Sequence, residues 1–167
     1  MKKFEFTGEI KVVCGITLKQ IKRIADGLIG GWLENESCLS HYGNAWVYGD
    51  AQVYGDAQVY GDAQVYGNAR VYGNAWVYGD ARVSGDAQVS GNARVSGDAW
   101  KQSPLYIQGS RNAATNCAVG KISIGCEVHT FAEWSVNYES IGKANGYTEE
   151  QIAEYGLIIK LFLAIGK

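Results

Sequence analysis

The sequence predicts a mainly β fold: a single-stranded β-solenoid of triangular cross-section, 18 residues per turn, with an N-terminal strand cap and a C-terminal helical pair. Three observations carry this. Nine consecutive hexads of the form A-x-V-[YS]-G-[DN] run unbroken from Ala45 to Asp98. Strand-like alternation with glycine breaks precedes them, and two helix-start signals follow them. A fixed short period of this kind marks a solenoid or array.

Residues 1–40 form the expected cap. "FEFTGEIKVVCGITLKQIKRIADG" alternates apolar and polar residues between glycines, as short strands do. "GGWLENESCLS" follows, with Trp32 placed to lie over the open end of the solenoid. Such a cover is needed because a bare end is an exposed sheet edge.

The solenoid is assigned to residues 41–128. In each hexad Ala and Val point to one side of a short strand and the residue between them to the other. Gly followed by Asp or Asn supplies the corner, since these types accept left-handed or turn conformations. Three such sides close a triangular turn, with rungs stacked at about 4.8 Å. Half-matching repeats flank the perfect block at His41–Asn44 and Leu105–Ser110. Lys101–Pro104 should eject a loop, and Cys117–Val119 and Ser123–Gly125 read as degenerate strands that extend the coil.

Stacking by 18 fixes the outer ladders. Tyr48 lies below Tyr66 and Ser84, Tyr54 below Tyr72 and Ser90, and Tyr60 below Tyr78 and Ser96. The middle positions stack as Trp46-Gln64-Arg82-Trp100, Gln52-Arg70-Gln88 and Gln58-Trp76-Arg94. A core of only Ala and Val is thin, so stacked outer tyrosines and the caps must add stability. The candidate interface is therefore Tyr48, Tyr54, Tyr60, Tyr66, Tyr72 and Tyr78, with Trp46, Trp76, Arg70 and Arg82. It serves a partner or a second copy of the chain, unless the rungs are stabilising ladders alone.

Residues 129–167 change period. Thr130-Phe-Ala-Glu133 and Thr148-Glu-Glu-Gln151 are capping boxes. They open helices over 131–144 and 149–165, the second presenting Ile152, Tyr155, Ile159 and Phe162 on one face.

Composition narrows the function. A net charge of -2 lacks the clustered basic face of a nucleic-acid binder, so direct contact with nucleic acid is not expected. The apolar run "GLIIKLFLAIG" is short and interrupted by Lys160, and no secretory leader is seen, so a cytoplasmic protein without a membrane segment is expected. The four cysteines show no C-x-x-C spacing, and neither a metal site nor a disulfide framework is expected. Catalysis is not expected either, and no cofactor is called for. His41 falls in a valine register and His129 just ahead of a helix cap. The corner column Asp62-Asp80-Asp98 could hold a cation, but the asparagines that share the corners suit a turn equally well.

The repeats G-[DN]-A-x-V-[YS], preceded by "GGWLE" and followed by "SPLYIQGS" and "NGYTEEQIAEYG", resemble a β-solenoid family carried by bacteriophages and prophages. Six-residue repeats of small and aliphatic positions also resemble the left-handed hexapeptide β-helix, which implies a left-handed coil. There Gly follows the aliphatic residue directly, whereas here Tyr or Ser intervenes, as in Val53-Tyr54-Gly55, and the corner shifts by one. The phage resemblance implies a small accessory protein in a bacterial host cell. It would bind and block a host protein or nucleoprotein, a CRISPR effector or another defence component being the plausible class, and would itself form dimers or trimers. The rivals are a hexapeptide acyltransferase with an inter-subunit site near His129 and a structural virion or assembly component.

Overall fold

A computed structural model describes residues 2–97, 99–100 and 102–166. Two compact units result, one ending at Ser103 and the other beginning at Pro104.

The first unit opens with strands β1 (Phe4–Val13), β2 (Ile16–Arg23) and β3 (Ile29–Leu33). β1 and β2 form an antiparallel hairpin whose tip holds Cys14 and Gly15 at positive φ. A register shift between Phe6 and Ile10 bulges β1 at Gly8. Short strands then recur at each hexad: β4 (Trp46–Val47), β5 (Gln52–Val53), β6 (Gln58–Val59), β7 (Gln64–Val65), β8 (Arg70–Val71), β9 (Trp76–Tyr78), β10 (Arg82–Val83), β11 (Gln88–Val89), β12 (Arg94–Ser96) and β13 (Ala99–Trp100).

These strands coil at 18 residues per turn into three parallel ladders. β3 leads into β5, β8 and β11; β4 into β7, β10 and β13; β6 into β9 and β12. The fold class read from the sequence is thus observed. The residues explain the coil. Every Ala and Val of the hexads from Ala45 to Val95 is buried in the shaft. Each corner Gly takes a left-handed φ, as Gly67 does at 71°. A Cβ on Gly67 would stand 3.0 Å from the backbone N of Gly85, one turn along, so only glycine lets the corners stack this closely. Corner side chains join the turns, with Asn44 Nδ2 donating to Asp62 Oδ1 at 2.8 Å and Asn68 Nδ2 to Asp86 Oδ1 at 3.1 Å.

Both ends are closed by bulky residues entering the shaft register. At the first turn Leu33 pairs with Val53 and Leu39 bridges Val59, and both are buried. The expected cover, Trp32, instead sits in register with Gln52, an outward position, because strand alternation puts Leu33 inward. Leu39 rather than His41 takes the place below Val59. His41 ties down the N-terminal strand. Its Nδ1 accepts from the Lys3 amide, its Nε2 faces Glu36 Oε1 at 2.8 Å, and its ring stacks on Phe4 at 4.5 Å.

At the far end the register slips by one. Arg82 pairs with Ala99 and Val83 with Trp100, so Trp100 occupies the buried valine position and not the outer column expected for it. Asp98 and Lys101, which the corner stack and the loop reading used, lie outside the described residues.

The second unit is not more solenoid. Its strands β14 (Tyr106–Gln108), β15 (Ala113–Ala118), β16 (Lys121–Ile124) and β17 (Glu127–Thr130) form an antiparallel meander. The coil expected to run to residue 128 therefore ends at Trp100. The physical reason is turn chemistry: Val119-Gly120 and Gly125-Cys126 are two-residue hairpin turns with the glycines at positive φ, which reverse the chain instead of turning a corner. Helices α1 (Phe131–Ala144) and α2 (Glu149–Ile165) follow, each opened by its capping box. Ile152, Tyr155, Ile159 and Phe162 form the buried face of α2 and pack with Trp134 and Ile122.

Candidate functional site

The outer ladders show the predicted registers: Gln52-Arg70-Gln88, Gln58-Trp76-Arg94 and Trp46-Gln64-Arg82. The ten candidate residues are therefore spread over three faces, and the N-terminal strands treat those faces differently.

The face headed by Trp46 is covered at its first rung. Trp46 is 1% exposed, with Phe4 edge-on at 6.4 Å and the Arg23 guanidinium 5.4 Å from its ring. It is a core residue, contrary to its expected place on an open surface. Tyr48, Tyr66 and Arg82 continue this face, Arg82 exposed and both tyrosines half-buried.

On the second face, Trp32 heads the column above Gln52, which is itself buried. The Lys11 ammonium lies 4.3 Å from the Trp32 ring. Burial lowers the Lys11 pKa, and Asp50 and Arg70 both act on it, so the β1 strand and this face share one electrostatic environment. Tyr54 and Tyr72 stack at 5.1 Å, and Tyr72 donates its hydroxyl to Gln88 Oε1 at 3.1 Å. Arg70 is half-buried beside them.

The third face carries no such lid. Gln58, Trp76 and Arg94 run down its middle, and all three are exposed. Tyr60 and Tyr78 stack beside them at 5.3 Å with rings within 8° of parallel. Trp76 meets Tyr60 edge-on at 6.3 Å and lies 4.8 Å from the Arg94 guanidinium. Above, Ser37 and Ser40 border a groove of about 450 Å³ with Gln58, Tyr60 and Trp76. The Tyr60 phenol is pushed above its ordinary range, first by burial and then by Tyr78, so near neutral pH it is a neutral hydroxyl.

An indole held open between a tyrosine edge and a guanidinium, beside a rigid stacked pair, has the make-up of an interaction hot spot. Aromatic side chains offer large contact area with few rotatable bonds, and Arg adds cation–π and hydrogen-bonding contacts. The structure brings Tyr60, Trp76 and Tyr78 together and leaves Tyr54, Tyr72, Tyr48, Tyr66, Arg70 and Arg82 on other faces. Gln58 and Arg94, which sequence reasoning did not single out, complete the group. The signal for them was present, since the 18-residue stacking already placed both in the Trp76 column.

Elsewhere, His129 Nε2 faces Glu127 Oε2 at 3.0 Å and its ring meets Trp134 edge-on. Among the described residues no cluster of His, Cys, Asp and Glu could hold a metal ion, and no helix is long and apolar enough to cross a membrane.

The chain is similar to the YdcK beta-solenoid repeat over residues 63–79, 75–89 and 87–101, the heart of the regular coil. Comparison with curated proteins yields no match.

Proposed function

We propose that this is a non-enzymatic, phage-type accessory protein that binds a host macromolecule through the open solenoid face. The observation carrying the reading is the exposed Tyr60/Trp76/Tyr78 group, with Arg94 and Gln58, on the one face that the N-terminal strands leave uncovered. A tryptophan 37% exposed beside a stacked tyrosine pair and an arginine has the composition of an interface hot spot. The partner fits a bacterial protein or nucleoprotein, reached by contact with its protein surface, since the solenoid's mild negative balance does not attract phosphates. The phage source and the role as a defence-system inhibitor, anti-CRISPR-like in kind, rest on the repeat and flanking segments that resemble phage-borne proteins.

The test is affinity capture from bacterial lysate with the wild type beside a Tyr60→Ser/Trp76→Ser/Tyr78→Ser variant. The circular-dichroism spectrum should be unchanged, because the lost side chains lie outside the shaft. One host protein or nucleoprotein is expected with the wild type and at least tenfold less of it with the variant. Equal capture by both overturns the assignment of this face. A variant that merely changes from oligomer to monomer, with nothing captured by either, makes the face a self-interface instead.

A further inference from the structure

The second unit holds a cavity that the proposed function does not use. It lies between the β16–β17 turn, α1 and α2, and has a volume of about 190 Å³. A cavity of roughly 150 Å³ already admits benzene, so this one has room for a single ring bearing a short chain. Trp134, Ile141, Ile152 and Ile159 give it an apolar interior.

Its rim carries one cation and one anion, the first held by a backbone carbonyl and the second by a side-chain amide. Arg111 Nη1 donates to the Gly146 carbonyl at 2.7 Å, and its guanidinium lies 4.6 Å from the Tyr147 ring. Glu127 Oε1 accepts from Asn145 Nδ2 at 3.2 Å. The two charges are thus tethered to consecutive residues, 146 and 145, yet they form no ion pair with each other. Arg111 has no carboxylate partner among the described residues. Hydrogen bonds from Asn145 and then His129 hold the Glu127 carboxyl below its usual range, so it is charged at neutral pH.

The loop is preorganised as well. Tyr155 Oη accepts from the amides of Arg111 and Asn112 and donates to the Asn112 carbonyl, fixing the base of the Arg111 side chain. Asn112 Nδ2 donates to Tyr147 Oη at 2.6 Å, which locks the ring on which the guanidinium rests.

We infer that this cavity binds a small zwitterion with a ring-sized apolar body, of which a free aromatic α-amino acid is the type. The ring fills the space against Trp134, the carboxylate meets the unused N–H groups of Arg111, and the ammonium meets Glu127. A separated cation and anion beside an apolar chamber match this class. A neutral hydrocarbon would engage neither charge, and a ligand of single charge only one, whereas a zwitterion reaches Arg111 and also Glu127, whose other oxygen faces His129.

The test uses the full chain, nitrogen-15 labelled, with the Trp134 indole N–H as reporter; that group donates to the Ile122 carbonyl at 2.9 Å, and Trp134 lines the chamber. L-Phenylalanine should shift this resonance saturably. 2-Phenylethylamine, lacking the carboxylate, and 3-phenylpropionate, lacking the ammonium, should each bind at least about tenfold more weakly, the weight of one charged hydrogen bond. Arg111→Gln should remove the preference for phenylalanine over the amine, and Glu127→Gln its preference over the acid. No saturable shift with phenylalanine overturns the inference. So does equal binding of all three compounds, which would make the cavity a plain apolar site. Because the solenoid face plays no part here, the result is independent of the capture experiment.

Discussion

Replacing Trp46 by alanine is expected to destabilise the first unit by about 3 kcal/mol, the low end of the range for a buried tryptophan. The same change at Trp76 should cost about 1 kcal/mol or less. Both tryptophans occupy the same position of the hexad, and their surroundings set them apart. Trp46 is enclosed by Phe4, Arg23 and the Gly30 backbone, so truncation leaves a cavity in a rigid wall. Its indole N–H has no hydrogen-bond partner among the described residues, and removing that buried donor returns part of the loss. Trp76 is 37% exposed, with the Tyr60 edge and the Arg94 guanidinium beside it. Urea unfolding followed by circular dichroism measures both, and equal losses at the two sites would contradict the covered and open faces described here.

The second large effect is at Gly31. A Cβ there would stand 2.6 Å from the Ala51 carbonyl oxygen and 2.7 Å from Val47 Cγ1. The first obstacle is backbone, so the contact cannot be relieved by a rotamer change. Gly31→Val should push β3 off the coil and break the bonds from the Trp32 amide to Ala51 O and from the Glu34 amide to Val53 O. Leu33 would then leave the shaft and expose the first turn as a sheet edge. A loss of about 3 kcal/mol or more follows, at or beyond the usual limit for overpacking. Amide hydrogen exchange should show residues 4–33 losing protection while the hexads from Ala63 onward keep theirs. Unchanged protection of the N-terminal strands would mean that their docking does not depend on this close approach.

These two residues also show how far local pattern reaches. The coil, its 18-residue turn and the side-chain columns were legible because each hexad repeats the same instructions: small and branched residues inward, glycine at the corner. Both helices were legible from their capping boxes. The lid was not. Nothing in "IGGWL" says that β3 will pair in parallel with β5, nor that Phe4 of β1 and Arg23 at the end of β2 will lie against Trp46. The end of the coil misled for a related reason. Gly120 and Gly125 resemble degenerate corners, yet each sits in a two-residue hairpin turn, and the one-residue slip that plugs the shaft with Trp100 leaves the hexad pattern intact up to Gly97. The cavity of the second unit joins residues from Arg111 to Ile159 and has no motif of its own.

The assignment of the open face is tested most directly by a photo-crosslinking amino acid placed in turn at Gln58, Gln64 and Gln88, one on each face, in bacteria producing the protein. All three are glutamines at the middle position of a hexad, each on a different face. A crosslink to a foreign protein from position 58, absent or much weaker from 64 and 88, is the predicted result. Crosslinks from 64 or 88 in preference to 58, or from 58 to copies of this chain alone, would contradict it.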